Sequence, residues 1–368
     1  MSMRHRLLLD ALWPAWDCEE DDRLICRAVY DETHDVKTFL FASPEPRQFI
    51  FAPGQFLTFD FPVGEGGQGE GSVNRCYTIA SSPTRPHTVA ITVKRTSGGS
   101  VSNWLHDNIK VGDVVRAIGP MGEFSTWAHP CSKRLFLSGG VGATPLMSHL
   151  RRDFDMGEDL DTIVVHCART PRDILFRHEL DLMAHRRQHL QIAHLVESVD
   201  GEQGWAGYRG RISRELVEMI APDYREREIF CCGPPPFMAA VRAILRQGGY
   251  DMSRYHEESF DFADLAPAEQ AAAPPPPDAG VKVHSVTFKK SGQTIECDEN
   301  TTILAAARMA GLRLPSSCTK GLCGTCKTLK ISGEVEMAHA GGIRQREIDR
   351  GMVLLCCSKP RGEVTVDR

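Results

Sequence analysis

The sequence predicts a multidomain chain in three parts: a small antiparallel β-barrel, an α/β domain with a parallel sheet, and a small β-rich C-terminal domain. Three observations predict it. Six short strand-like runs separated by turns fill residues 22–127 without helical periodicity. Strands then alternate with amphipathic helices up to residue 262. An Ala/Pro-rich stretch follows, and beyond it four cysteines stand at C-x4-C-x2-C…C spacing. A length of 368 residues, more than one core usually holds, agrees with several domains.

Composition narrows the function classes. Hydrophobic residues at 42% and charged residues at 25% are ordinary for a globular protein. A net charge of −5 argues against a general nucleic-acid binder. No apolar run reaches the roughly 18 residues of a membrane span. Residues 1–21 form an N-terminal extension, MSMRHRLLLDALWPAWDCEED, whose apolar stretch is too short for a secretory signal and lacks a small-residue cleavage site. A cytoplasmic protein is expected, and its 13 cysteines are then thiols or metal ligands.

The barrel runs are RLICRAVYDE, VKTFLFAS, QFLTFDFP, RCYTIAS, TVAITVKR and DVVRAIGP. The fourth carries Arg75, Cys76, Tyr77 and Thr78, with Ser81 and Pro83 beyond. Arginine offers a bidentate fork for a pyrophosphate, tyrosine a flat face for a ring system, and threonine a hydroxyl for a ring nitrogen. Gly98 and Gly99 with Ser100, Val101 and Ser102 precede a helix expected to open at Asn103, and glycines before a helix N-terminus make an anion cradle.

The second domain begins with a buried-strand pattern, KRLFLS, and a turn of Gly139, Gly140, Val141 and Gly142. Ala143, Thr144 and Pro145 lead into a helix. Strand, glycine turn and helix make a dinucleotide cradle, although not the G-x-G-x-x-G fingerprint. The strands TIVVHCA, LQIAHLVES and EIFCCG then alternate with the helices DILFRHELDLMAHR, SRELVEMIA and PPFMAAVRAILRQG. Arg169 and Thr170 follow the first of those strands, and Cys232, Gly233 and Pro234 close the third. His256 to Phe260 end the domain as a tail or a helix end.

Residues 263–280 hold seven alanines and five prolines and build no core; they read as a semi-rigid tether. Beyond it, VKVHSVTFKKSGQTIECDEN reads as a β-hairpin turning at Ser291-Gly292. TTILAAARMAGL reads as a helix capped by Asn300 or Thr301 and stopped at Gly311, with Ile303, Leu304, Ala307 and Met309 in the core. Cys318, Cys323 and Cys326 stand close together, with Cys356 and Cys357 some thirty residues on. That spacing suits the four thiolates of a [2Fe–2S] cluster. Structural zinc usually takes a second Cys pair, which is lacking here.

Three resemblances follow from these motifs. Residues 281–368 resemble plant-type ferredoxins, which implies a β-grasp fold and selects Cys356 as the fourth ligand by the match of VLLCCSKP. R-x-Y-[ST]-x-x-S-x-P, then G-G-x-x-S, then GPMGEF resemble the flavin domain of the ferredoxin–NADP reductase superfamily. The resemblance implies FAD in a barrel over 22–127, with Tyr77 and Thr78 at the flavin, Arg75 on the pyrophosphate and Gly99 to Ser102 on phosphate. FMN-type relatives use the same barrel. CGPPPFM resembles the superfamily's C-G-P signature, which implies an NAD(P)-binding domain over 128–262 with the Cys232 thiol facing the nicotinamide. It also implies Arg169 near the adenosine ribose and Glu258 and Phe260 near the flavin. A-R-T-P-x-D-I-x-F resembles NADH-using members, so NADH is expected rather than NADPH.

The resemblance in this domain order implies a reductase component. NADH gives a hydride to FAD, the cluster takes single electrons, and a separate terminal oxygenase receives them. A Rieske-type oxygenase demethylating a quaternary amine such as glycine betaine is the expected partner. The hybrid-cluster protein is the alternative acceptor, and a redox-sensing module the alternative of another class. No nucleic acid or membrane is expected. Residues 281–368 carry fourteen Lys and Arg against nine Asp and Glu, which makes Lys320 and Lys327 candidate contacts for an acidic acceptor.

Overall fold

The computed structural model describes residues 13–63, 73–199, 204–260, 281–312, 314, 321, 324 and 326–368. The tether, Cys318, Lys320 and Cys323 lie outside the described residues. The chain divides into two compact units, residues 1–72 with 77–260, and residues 261–368 grouped with 73–76.

The barrel strands are β1 (Arg23–Thr33), β2 (Val36–Ala42), β3 (Phe56–Phe61), β4 (Val73–Thr78), β5 (Val89–Lys94) and β6 (Val114–Met121), in the sheet order β4-β3-β6-β1-β2-β5. The pairs β1–β2, β1–β6, β2–β5 and β3–β6 are antiparallel. Alternation puts Phe39, Phe41, Phe59 and Phe61 inward, where Phe59 and Phe61 stack at 5.7 Å, two residues apart on one face. The helix α1 (Ser100–Asn108) starts at Ser100, three residues before the expected opening, so Ser100, Val101 and Ser102 form its first turn behind Gly99.

The nucleotide half comprises β7 (Lys133–Gly139), α2 (Ala143–Met156), β8 (Asp161–Ala168), α3 (Arg177–Arg186), β9 (Leu190–Val196), β10 (Tyr208–Arg209), α4 (Arg214–Ile220), β11 (Glu228–Cys232), α5 (Pro235–Gln247) and β12 (Tyr255–Glu258). The sheet runs β10-β9-β8-β7-β11-β12 with parallel pairing throughout. Two expectations change. The helix expected from Asp173 begins only at Arg177, because Pro171–Asp173 forms a 3-10 turn locked by Thr170 and Asp173, and Phe176 then takes φ 54°. Residues 255–258 are an edge strand rather than a helix end, paired in register with β11.

The C-terminal part contains β13 (Val283–Phe288), β14 (Gln293–Asp298), α6 (Ile303–Met309), β15 (Lys327–Ser332), β16 (Val335–Met337), α7 (Gln345–Ile348), β17 (Met352–Leu354), β18 (Ser358–Pro360) and β19 (Val364–Val366). One sheet has the order β14-β13-β19-β15-β17, and β16 pairs with β18. The hairpin turns at Gly292, whose φ of 67° suits glycine. Thr302 caps α6, not Asn300 or Thr301: its Oγ1 accepts from the Ala305 amide at 3.4 Å. Thr301 is diverted, donating to Asp298 at 2.5 Å. Ile303, Leu304 and Ala307 are buried as expected, but Met309 is exposed.

One buried ion pair ties β7 to α2. Arg134 pairs with Asp153, and its Nε donates to Thr162 at 2.9 Å; both charged side chains are nearly inaccessible. Removing the carboxylate strands a buried cation. Asp153→Leu should therefore destabilise the protein by about 3–5 kcal/mol, read from urea unfolding. A change under about 1 kcal/mol would mean that the pair is solvated.

Candidate functional site

The carboxyl ends of the parallel strands form the base of the site. In-register residues of a parallel sheet share a face. The pairing places His194, His166, Ser138, Cys232 and Glu258 in one transverse row across β9, β8, β7, β11 and β12. His166 is fully buried, and burial, with His194 nearby, lowers it to about 3, so the ring is neutral. The Leu175 amide donates to its Nε2 at 3.3 Å, so Nδ1 carries the proton and donates to Ser138 Oγ at 2.8 Å.

Next along the row, Cys232 is buried, and burial pushes its thiol well up. It therefore stays a neutral thiol. Burial also raises Glu258 to about 8, while Thr78 Oγ1 donates to it at 3.5 Å and opposes the rise. Thr78 comes from barrel strand β4, so Thr78, Glu258 and Cys232 converge from two domains. His256 fixes β12 from the same edge: it bonds Glu228 at 2.7 Å and stacks on His129 at 3.6 Å. Phe260 packs against the core that contains Phe124 and Phe136.

The glycine turn does two jobs. A Cβ on Gly142 would lie 2.1 Å from the Cys232 carbonyl oxygen, and one on Gly233 3.0 Å from the Gly139 amide nitrogen. Those glycines let the two turns touch. Gly140 differs: its φ is 54° and open space lies where a side chain would go. It lines a cleft of about 660 Å³ together with Gly139, Pro234 and Phe237. Thr144 and Pro145 are buried in the first turn of α2, where Thr144 Oγ1 donates to Val141 O at 3.0 Å. They shape the turn from behind.

The far wall of the cleft holds charged groups that sequence reasoning missed apart from Arg169. Glu197, Arg211, Lys94 and Asp35 line it with Arg169 and Asp173. Glu197 follows a strand end as Arg169 does, a signal available in the sequence. Asp35, in the β1–β2 turn of the barrel, has no such signal.

On the barrel, Tyr77 packs edge-on against Phe59 and Phe61 at 6.2 and 6.1 Å, which leaves its ring fixed by the aromatic core. Arg75 donates to the Asn74 carbonyl at 2.8 Å. Ser102 Oγ accepts from the Thr96 amide, and a Cβ on Gly99 would meet that oxygen at 2.6 Å. Among the described residues the N-cap of α1, Gly99, supplies no side-chain bond to its first amides, which suits them to meet an anion. These residues fit a flavin nucleotide.

In the C-terminal part, the sulfur of Cys326 accepts from the Cys356 amide at 3.4 Å, and that of Cys356 from the Gly321 amide at 3.3 Å. Amide donors on two buried sulfurs suit thiolates holding a cluster. Cys357 Sγ instead donates to the Leu354 carbonyl at 3.7 Å. Lys327 is no free docking contact: it pairs with Glu347 at 2.7 Å and is largely buried.

Comparisons with known proteins agree with this geometry. The oxidoreductase FAD-binding domain family matches residues 26–126, the oxidoreductase NAD-binding domain family 136–243, and the 2Fe-2S iron-sulfur cluster binding domain family 286–361. The glycine betaine monooxygenase reductase subunit of Pseudomonas aeruginosa is 46% identical over 93% of this chain and 94% of its own. The stachydrine N-demethylase reductase subunit of Rhizobium meliloti is 43% identical over 94% and 96%. Among solved structures, phthalate dioxygenase reductase matches 96% of this chain and all of its own, with 25% identity and a TM-score of 0.54.

Two outcomes are expected. Cys356→Ser should lose iron and visible absorption, while Cys357→Ser keeps both; the reverse result would assign the fourth ligand to Cys357. The Glu258 carboxyl is raised from 4.5 to about 8, so the folded state holds the proton that the unfolded state releases. That contribution to stability is complete below 4.5 and is lost as pH rises to 8. Glu258→Gln should flatten the pH dependence of the unfolding midpoint across this window. An unchanged slope would show that Glu258 ionises freely.

Proposed function

The chain belongs to the reductase components of multicomponent oxygenases, which pass electrons from NADH through FAD and a [2Fe–2S] cluster to a separate oxygenase, and on that premise we propose that its partner is a Rieske-type monooxygenase acting on a quaternary amine such as glycine betaine. The similarity to the glycine betaine monooxygenase reductase subunit, 46% over nearly the full length of both chains, carries this reading. A 3-ketosteroid-9-alpha-monooxygenase reductase component of Mycobacterium tuberculosis, also matched end to end, is only 32% identical.

The bound groups supply the redox chemistry: hydride acceptance at FAD and one-electron transfer at the cluster. The chain's residues bind, orient and exclude water. In our reading the FAD barrel spans 22–127, the NAD(P) domain 128–262 and the ferredoxin domain 281–368, after an extension over 1–21 and joined by the tether at 263–280. Arg75 and the amides of Gly99, Ser100, Val101 and Ser102 hold the FAD phosphates. Tyr77 backs the flavin ring and Thr78 bonds its edge. The turns at Gly139–Gly142 and Cys232–Pro234 seat NADH, with Thr144 and Pro145 supporting the first. Cys232 meets the nicotinamide as an uncharged thiol, and Glu258 holds a proton beside it. Cys318, Cys323, Cys326 and Cys356 hold the cluster. NADH is the preferred donor, because Arg169 is already engaged by Asp35 and Asp173 at 3.3 and 3.4 Å. Dependence on NADH also suits a cytoplasmic location.

The test is reconstitution. The purified protein with a Rieske-type oxygenase should couple NADH oxidation to oxygen uptake and formaldehyde release from glycine betaine. Brisk reduction of ferricyanide by NADH, but no turnover with any betaine, would overturn the proposed substrate.

A further inference from the structure

The far wall of the dinucleotide cleft is built from two domains, and its charges are paired. Lys94 and Asp35 come from the barrel, Arg169 and Asp173 from the nucleotide half. One carboxylate oxygen of Asp35 accepts from both Lys94, at 3.2 Å, and Arg169, at 3.3 Å. Asp173 meets the same Arg169 nitrogen at 3.4 Å.

Both carboxylates are pinned. The other oxygen of Asp35 takes the Thr33 hydroxyl at 3.0 Å. The other oxygen of Asp173 takes the Thr170 hydroxyl at 2.8 Å and its amide at 3.0 Å. The His34 ring faces both acids at 3.8 Å. Asp35 and Asp173 are mostly buried while Arg169 is 59% exposed, so the acids are the anchored partners and the arginine the solvent-facing one.

We propose that Asp35, a residue of the flavin barrel, selects NADH over NADPH by holding the Arg169 guanidinium and placing its own carboxylate where a 2′-phosphate would sit. The inference rests on the reading of this cleft as the dinucleotide site. NADH and NADPH differ only in that 2′-substituent. A phosphate there brings close to two negative charges. It needs a cation free of carboxylates, whereas a ribose hydroxyl can donate to one. Lys94 and Arg169 share Asp35, so its removal takes the carboxylate from Lys94 and leaves Arg169 held by Asp173 alone. Selectivity in this form is mainly repulsion of the wrong ligand.

Asp35→Asn keeps size and an acceptor for Thr33 while removing the charge. With ferricyanide as acceptor, the ratio of kcat/KM for NADPH to that for NADH should rise about tenfold or more, carried by KM. The affinity for 2′,5′-ADP relative to 5′-AMP should rise in parallel, measured by calorimetry without turnover. Adding Arg169→Leu should cancel both gains. An Asp35→Asn protein with normal FAD content, binding 5′-AMP, whose two ratios move less than about twofold would overturn the role of Asp35 alone. Wild-type protein that binds neither nucleotide would overturn the dinucleotide reading and this inference with it.

Discussion

The contact between two backbone turns governs the nucleotide site. Gly139–Gly142 after β7 and Cys232–Pro234 after β11 lie so close that a Cβ on Gly142 would stand 2.1 Å from the Cys232 carbonyl oxygen. Only glycine allows this approach without moving one strand end. The contact sets where α2 and α5 begin, and hence where their amides point. It also fixes Cys232 on β11, in register with Glu258 of the edge strand β12. A cleft between parallel-strand ends needs both turns at a fixed separation, and direct packing of one against the other achieves that.

The row behind these turns explains how they are held. His166, neutral and buried, bridges the Ser138 hydroxyl and the Leu175 amide. Ser138 directly precedes the glycine turn, and Leu175 also lines the cleft. One imidazole thus joins the two segments with both nitrogens used. A hydrophobic residue there would leave a buried hydroxyl and a buried amide to find other partners. On the other flank, Glu228 and His129 clasp His256 and fix the edge strand that carries Glu258.

Much of this was legible in the sequence because it is local. Short strand-like runs between turns exposed the six barrel strands, and the switch to alternating strands and helices exposed the parallel sheet. Cysteine spacing and the glycine turns carry chemistry at short range. What escaped depends on contacts distant in sequence. Asp35 meets Arg169 from 134 residues away, and no pattern in a hairpin turn announces it. Residues 255–258 form a strand only because β11 offers a free edge. Lys327 looked like a surface charge but pairs with Glu347, twenty residues on, where backbone turns bring them together. The cap of α6 moved by one residue because Asp298 competes for Thr301.

The cysteines show how environment, not residue type, assigns chemistry. Cys231 is raised to about 12 by burial and Cys297 likewise, so both remain inert apolar fillers. Cys232 is equally buried but pairs with Glu258 of the edge strand, and in the role proposed for it a neutral thiol presents no charge to the nicotinamide. A thiolate in that place would attract the positive ring of the oxidised product and slow its departure. Cys326 and Cys356 are buried too, yet backbone amides donate to their sulfurs. Amides directed at sulfur are the arrangement expected around cysteines that hold an iron–sulfur cluster. The same chain thus gives its buried cysteines different surroundings by where its backbone N–H groups point.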